Sequence, residues 1–548
     1  MAEAGDMSRG STQLAPTPDR DLQWPESVET STRADFPELS PEPVAAPREN
    51  WGLPLAVVVV GMFMVVLDTS IVNVAIPTMQ GQFGASSDDI EWIATAYTLS
   101  LGVVVPTSAW LGEKMGLRRT YLVSLLLFSV FSALCGTAGD LNTMIFYRIL
   151  QAIPGGIIPV TCLTILYRLV PPAKLGAAMG LYGLGVVFAP GVGPTLGGYL
   201  VEYVDWRLIF YINVPIGIVG AIVALIVLPK FPQEPGRKFD VPGFVCIAAA
   251  CFALLLAVSE GQQWGWGGYR VLMLVAAGIN LLILFVVIER QVQQPLLNLR
   301  VFAFWPYVNS LLLMGIMYTG MFASIYITPL FLQTVQGITP WNTGLTIMPM
   351  AVVMAVLNPI SGRLFDKVGA RWLVMIGLFI NGIGNLWMSQ LDVTTSRADI
   401  VVRLMFCGIG LSMSFMPIMA GGMSVLPPEI VSGGSAITTL VQRVTAAIGL
   451  AAITALTTVQ QAQLFTYRNA LTQPSGADVD PRITAMQSGG SGGMLPLFTE
   501  LRHQVTTQSY SNAFFLVGVC VLASVPLAYL LPSRRSGGGA GAAPMDMH

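Results

Sequence analysis

Charged residues are scarce in this sequence, and histidine is almost absent. Lys, Arg, Asp and Glu together make up 11% of the 548 residues, and the two histidines are His503 and His548. Soluble globular domains contain roughly 25% charged residues. The formal net charge of −2 also provides no basic surface for nucleic acid. The composition therefore excludes an ordinary soluble domain and a nucleic-acid-binding protein.

Motifs of enzymes and metal proteins are also missing. The sequence has no HExxH and no GxxxxGK[ST] phosphate-binding loop. We therefore expect neither an enzyme nor a protein that uses ATP. The six cysteines lie inside apolar runs, with no CxxC and no Cys/His metal spacing. We expect no metal site, no disulfide and no bound cofactor.

Long apolar runs are what the sequence has in abundance. Hydrophobic residues make up 54% of it, with a mean hydropathy of +0.67. They come in runs of about 20 residues, enough to cross about 30 Å of hydrocarbon as a helix. The expected structure is an all-α membrane protein with fourteen spans. Their predicted bounds are 54–77, 90–111, 118–138, 142–167, 174–200, 207–228, 241–259, 269–289, 305–332, 343–365, 371–391, 399–426, 431–458 and 511–531.

The two ends of the chain differ from this apolar body. Residues 1–50 contain ten acidic residues, seven prolines and no apolar run. This composition favours a disordered tail over a signal peptide, and residues 532–548 resemble it. Lys and Arg concentrate in alternate loops, whereas the short loops 78–89, 260–268 and 333–342 have neither. The positive-inside rule then predicts a multi-pass protein with both tails in the cytoplasm.

An internal repeat divides the chain. "LGEKMGLRR" (111–119) and "LFDKVGARW" (364–372) each follow the second span of a half. We predict a first six-helix half (51–229), two inserted helices (230–303) and a second six-helix half (304–531) whose long outer loop is 460–509. Two six-helix halves related by a repeat are typical of a transporter.

Five motifs carry a family resemblance. They are "LDTSIVNVAIP" (67–77), "EWIATAYTL" (91–99), "APGVGPTLGG" (189–198), "DWRLIFYINVPIG" (205–217) and "GRLFDKVGAR" (362–371). Over residues 51–531 the chain resembles the major facilitator superfamily, and within it the fourteen-span drug:proton antiporters of the EmrB/QacA type. The resemblance implies the major-facilitator fold and proton-coupled export of amphiphilic drugs across the cytoplasmic (inner) membrane.

The repeated loops are the expected gates of such a transporter. An acid at a helix end can pair with basic groups in one state and separate from them in another. The first copy departs from the family pattern, because Glu113 replaces an aspartate and Leu117 replaces a basic residue. Positive-inside anchoring alone is the alternative explanation. The expected gating residues are Gly112, Glu113, Lys114, Gly116, Arg118, Gly362, Arg363, Asp366, Lys367, Gly369 and Arg371.

The fifth span resembles the antiporter motif of exporters. Glycines remove side chains, so that a neighbouring helix can approach closely. Prolines bend the helix and free backbone carbonyls, which neighbouring groups can satisfy. The corresponding span of the second half lacks the pattern. The motif residues are Ala189, Pro190, Gly191, Gly193, Pro194, Gly197 and Gly198.

Three charges are predicted at one depth inside the membrane. At about 1.5 Å per residue, Asp68, Arg148 and Arg443 each lie about 10 Å below the outer surface. Charges inside a bilayer are costly and usually mark function. We predict a proton-coupling network with Asp68 as its carboxylate and Glu91 as an accessible acid near the outer face. A static ion pair that fixes helix packing is the alternative.

Substrate and partners are indicated only weakly. Methionine suits adaptable apolar sites, although in membrane helices it is also ordinary filler. The expected cavity residues are Asn73, Gln151, Met317, Tyr318, Met321, Phe322 and Phe415. The expected partners are small amphiphilic substrates, lipid and, through loop 460–509, a cell-envelope adaptor, although this loop can also be a flexible connection. The alternatives are an exporter of one endogenous lipid, siderophore or metabolite, and a receptor that does not transport.

Overall fold

The computed structural model describes residues 51–233, 236, 238–471 and 491–531, and all regular structure in them is helical. The expected tails, 1–50 and 532–548, lie outside these residues. The first half contains α1 Gly52–Phe83, α2 Ser87–Ile90, α3 Trp92–Val104, α4 Thr107–Met115, α5 Leu117–Thr137, α6 Leu141–Leu169, α7 Leu175–Gly183, α8 Ala189–Tyr203, α9 Leu208–Tyr211 and α10 Asn213–Val227.

Ten helices follow in the rest of the described chain. The inserted pair is α11 Val241–Trp264 and α12 Tyr269–Gln291. The second half contains α13 Trp305–Phe322, α14 Thr328–Leu330, α15 Pro340–Val368, α16 Ala370–Met388, α17 Arg397–Met423, α18 Val431–Leu471, α19 Ser491–Ala523 and α20 Val525–Ala528.

Local sequence explains where several helices begin and bend. Asp140 accepts a hydrogen bond from the Thr143 amide (2.9 Å) and caps the start of α6. The predicted second span is bent by 56° between α3 and α4, next to Pro106. A π-helical turn, Leu184–Phe188, joins α7 to α8 directly before Pro190. A proline ring clashes with the carbonyl four residues earlier, and the wider turn relieves that clash.

The number of spans differs from the prediction. Twelve helices of the described residues are long and apolar enough to cross a membrane, and the bent pair α3–α4 raises the number to thirteen. The predicted span 371–391 is present as α16 but is not among these candidates. Arg371 and the buried Asn381 and Asn385 lower its hydropathy. The all-α membrane fold is confirmed, whereas the count of fourteen is not.

The outer loop of the second half also differs. We predicted a long outer loop over 460–509, but α18 continues to Leu471 and α19 begins at Ser491, so both helices extend into that range. The role of the loop as a flexible connection or an adaptor site stays a prediction.

The two halves meet along two seams, and three helices form each seam. In one seam α7 and α8 pack against α15, and in the other α4 and α6 pack against α18. The inserted helix α11 packs against α12, α3 and α18, so it covers one side of the second seam. We call the end of the bundle with the loops near Glu113 and Asp366 the inner end, since the sequence predicts it to be cytoplasmic. The opposite end is the outer end.

Candidate functional site

A buried ion pair lies in the first half. The Arg148 Nη1 atom of α6 is 2.7 Å from the Asp68 Oδ2 atom of α1, and the side chains are 1% and 0% exposed. A charge at this depth is stable only with a partner, and removal of one partner from a buried pair costs about 3–5 kcal/mol. The structure thus brings together two of the three charges that the sequence placed at one depth.

Two amides complete the hydrogen bonding of Asp68. Its Oδ1 atom accepts from Gln151 Nε2 at 3.0 Å and from Asn213 Nδ2 at 2.9 Å. The Gln151 Oε1 atom in turn accepts from Arg148 Nη1 at 2.8 Å. Asn213 also donates to the Ser132 hydroxyl at 3.1 Å. The carboxylate therefore has one charged and two neutral donors, supplied by two helices, α6 and α10.

Aromatic rings enclose the arginine of this pair. The Arg148 guanidinium carbon lies 3.8 Å from the ring centre of Tyr97 and 5.7 Å from that of Phe210. The faces of aromatic rings attract cations, most strongly where water is excluded. These rings separate the ion pair from bulk water, so a change of protonation at Asp68 requires a rearrangement that opens a path to it.

The antiporter motif positions α1, which carries Asp68. A Cβ atom at Gly193 would overlap the Ser70 hydroxyl, and one at Gly197 would lie 2.8 Å from Ile71 Cγ1. A Cβ at Gly198 would meet no atom within 4 Å. Gly191 faces Ala351 of the second half in the same close way. Ser70 follows Asp68 by two residues, so the glycines fix the helix that holds the carboxylate.

The other expected coupling residues lie apart from the ion pair. Glu91 is exposed where α2 meets α3, and no side-chain hydrogen bond joins it to Asp68 or Arg148. Arg443 is half-buried on α18 and has no hydrogen bond or ion pair among the described residues. A network with direct contact among all three charges is therefore absent from the described residues. The roles of Glu91 and Arg443 in proton coupling remain predictions.

The expected cavity residues fall into two groups. Tyr318 packs edge-on against Phe415, with ring centres 5.2 Å apart, and stacks on Phe322 at 6.4 Å. The buried Met317 and Met321 belong to the same hydrophobic cluster between the halves. Gln151 instead belongs to the Asp68 site, and Asn73 is exposed. The four side chains Met317, Tyr318, Met321 and Phe415 are thus packed in a buried apolar cluster of sulfur and aromatic groups.

The acids of the repeated loops join the two halves at the inner end. Asp366 accepts from the amides of Gly176 (2.7 Å) and Ala177 (3.0 Å), at the start of α7. Glu113 accepts from the Ser432 hydroxyl, at the start of α18. Unpaired amides at a helix start carry partial positive charge and bind carboxylates well. Each acid therefore binds the first turn of the fifth long helix of the other half.

The arginines of the same loops act within their own half. Arg118 donates to the carbonyl of Leu225, at the end of α10. Arg371 donates to the carbonyl of Leu531 at 3.2 Å and lies 4.5 Å above the Tyr529 ring. Cations at a helix C-terminus satisfy its free carbonyls. The repeat therefore combines an arginine contact within each half with an acid contact between the halves.

The remaining loop residues support these contacts. Gly116 and Gly369 have φ angles of 82° and 85°, which favour glycine, and each ends one helix and starts the next. Lys114 lies 4.5 Å above the Trp110 ring. Gly362 touches Gly176 so closely that a Cβ on either would overlap the backbone of the other. Gly112 packs on Leu117, while Arg363 and Lys367 are exposed.

The second half has no copy of the Asp68 site. Arg403 corresponds to Arg148 in the repeat, but it bonds to Asp399 on its own helix at 2.6 Å and to the Trp387 carbonyl at 2.8 Å. Asp399 is 37% exposed. The buried acid–base pair is therefore confined to the first half, among the described residues.

Sequence reasoning missed several members of the site. Ser132 was not predicted, and Tyr97, Phe210 and Asn213 were noted only as parts of motifs. Asn213 is a polar residue in an otherwise apolar run, which is the signal that could have identified it. The rotation of α5 and α9 about their axes decides whether Ser132 and Phe210 face Asp68, and no local pattern reports that rotation.

The chain is similar in sequence and in fold to known proteins. The model of the Major Facilitator Superfamily matches residues 58–450. The uncharacterized MFS-type transporter YhcA of Bacillus subtilis is 34% identical over 404 residues, 74% of this chain and 76% of that protein. The multidrug resistance protein Stp of Mycobacterium tuberculosis is 32% identical over 394 residues, 72% of this chain and 73% of that protein. The solved proton:xylose symporter XylE matches with a TM-score of 0.56 at 12% identity, over 85% of this chain and 94% of that one.

Fold and site together define a multi-pass helical membrane protein built from two repeated halves, with an ion pair buried in one of them. The matched residues run from α1 through the inserted pair to the first part of α18. The chain belongs to the Major Facilitator Superfamily, and the resemblance that its motifs carry is confirmed.

Proposed function

We propose that this protein is a proton-coupled antiporter that exports amphiphilic drugs or other small apolar compounds across the cytoplasmic membrane. The observation that carries the proposal is the buried Asp68–Arg148 pair, with its 2.7 Å contact and complete exclusion from solvent. A carboxylate in this setting binds a proton when it separates from its arginine and releases it when they pair again. The proton gradient then supplies the energy, and no cofactor is required.

The inner-end contacts support alternating access. The bonds of Asp366 and Glu113 hold the inner ends of the halves together. On α18, residues 431–439 are buried and residues 440–447 are half-buried, so the seam is more open towards the outer end. This arrangement suits a state that faces outward, with both termini cytoplasmic. Protonation of Asp68 from outside is the step that then favours the inward-facing state.

The apolar centre and the relatives support the substrate class. Tyr318, Phe415 and the methionines around them form an adaptable surface of the kind that accepts varied apolar compounds. The name of the Mycobacterium tuberculosis relative refers to multidrug resistance. An adaptor protein in the cell envelope remains a proposed partner, through the outer segment between α18 and α19.

Gradient-driven transport tests the proposal. Export of a fluorescent amphiphile is measured in inverted vesicles under an imposed proton gradient. Asp68→Asn keeps the shape but cannot titrate, so it should abolish gradient-driven transport, while Asp68→Glu should keep part of it. Asp399→Asn is the matched control, since it removes the partly exposed acid of the Asp399–Arg403 pair in the second half. Wild-type transport by Asp68→Asn, with unchanged pH dependence, would show that the pair is only structural.

A further inference from the structure

Arg443 is a half-buried charged side chain with no counter-ion among the described residues. It is half-buried on α18, at about the depth of the Asp68 pair, and it makes no ion pair with any described residue. Its neighbour Gln442 contacts the interior, with Nε2 3.3 Å from Met314 Sδ and 3.7 Å from Met419 Sδ. A cation held inside a membrane protein without a partner is costly and marks a functional site by default.

The surroundings of Arg443 come from both halves. Its charge acts on the hydroxyls of Tyr97 on α3, Tyr182 on α7 and Tyr318 on α13. All three tyrosines are buried, and they belong to helices of both halves. Helix α18 itself packs against α6 and α13, one from each half. The cation therefore lies on a helix at which the two halves meet.

The chemistry of this position fits one kind of ligand group. Arginine presents a planar set of donors that pairs with carboxylate, sulfonate or phosphate oxygens. Phenol hydroxyls beside it can donate further hydrogen bonds to the same group. The adjoining Tyr318–Phe415 surface provides apolar contact for the rest of the molecule. The Asp68 oxygens accept from Arg148, Gln151 and Asn213, and Arg443 makes no ion pair with that carboxylate.

We propose that Arg443 is a substrate-binding residue that holds the anionic head of an amphiphile in the central cavity. The inference rests on the proposed function in so far as the cavity is a transport path. It goes further by assigning a charge class: the transported compounds include acidic amphiphiles, with the acid group at Arg443 and the apolar part against Tyr318 and Phe415.

Binding without a gradient tests this assignment separately from antiport. Purified protein in nanodiscs of phosphatidylcholine is titrated with dansyl-labelled undecanoic acid and with its methyl ester, which lacks the charge. The wild type should bind the ionised acid more tightly than the ester. Arg443→Gln should lower the acid/ester affinity ratio about tenfold or more, and Arg443→Lys should restore much of it. Arg397→Gln, which removes a charge at the outer end of α17, is the control and should keep the ratio.

The outcomes separate the two proposals. An unchanged acid/ester affinity ratio in Arg443→Gln overturns the anion site. An equal loss of affinity for both ligands also overturns it, and indicates that Arg443 acts in proton coupling or folding. A selective loss of the acid supports the site even in a protein that shows no proton-driven transport. Phosphatidylglycerol added to the nanodiscs identifies the source: displacement of the acid supports a lipid head group as the natural anion, and absence of displacement supports a diffusible acid.

Discussion

At the scale of single residues, the important fact is how completely one carboxylate is satisfied. Asp68 has donors from Arg148, Gln151 and Asn213 within 3.0 Å. These donors come from α6 and α10, so they tie the carboxylate on α1 to two other helices. Under the proposed antiport, several of these contacts must loosen together before a proton can reach Asp68.

The contribution of Asn213 can be measured. Asn213→Ala removes a donor to Asp68 and should lower stability by about 1–3 kcal/mol, the cost of an unsatisfied buried group. Thermal unfolding in detergent reports this change. Asn280→Ala is the matched control, because Asn280 lies exposed on α12 and bonds only to the Ala276 carbonyl of its own helix. Equal melting temperatures for the two variants would contradict the assigned role of Asn213.

Part of the site could be predicted from residues alone, and part could not. The depth of Asp68 and Arg148 along their helices follows from counting residues, and this predicted their contact. Arg443 has the same depth, but depth says nothing about rotation or about which helices are neighbours. Asn213 and Ser132 were missed for the same reason. Contacts across distant helices depend on tertiary packing, which no periodicity within one helix encodes.

At the scale of helices, α8 determines the position of α1. Its motif glycines bring the backbone of α8 against Ser70 and Ile71, one turn beyond Asp68. The sequence predicted this close approach but not the neighbour. The bend at Pro106 and the helical extension to Leu471 were not predicted, since boundaries and kinks depend on local strain more than on hydrophobic pattern.

Substitutions along α8 test this packing. Gly193→Ala and Gly197→Ala should reduce transport severalfold, because each added methyl group must displace α1. Gly198→Ala should have no effect, since its methyl group meets no atom within 4 Å. Transport rates are compared at equal amounts of inserted protein. Full activity in all three variants would mean that α8 does not control α1.

At the scale of the whole molecule, the two halves are held at the inner end by reciprocal contacts. Asp366 of the second half binds the start of α7, and Glu113 of the first half binds the start of α18. The repeat in the sequence identified both loops, and glutamate still serves where the family pattern has aspartate. Their targets could not be predicted, because each lies in the opposite half. Both contacts must break for the inner end to open.

Loss of one contact should shift the conformational equilibrium. Asp366→Ala leaves the first amides of α7 without their acceptor and should favour the inward-facing state by about 0.3–1 kcal/mol. Electron-spin distances between labels at positions 174 and 367 should then contain a larger long-distance population. Asp392→Ala, which removes an acid from a turn at the outer end, is the control. An unchanged distribution in Asp366→Ala would contradict the gating role.

The most direct test of the account is whether substrate drives protons. Purified protein is reconstituted in liposomes that enclose a pH-sensitive dye, and an amphiphile gradient is imposed without any pH gradient. If the protein is a proton-coupled antiporter, the wild type moves protons against the direction of the amphiphile. Asp68→Asn then moves none, and Asp399→Asn behaves as the wild type. Amphiphile flux by the wild type without proton movement, or equal proton movement by Asp68→Asn, would contradict it.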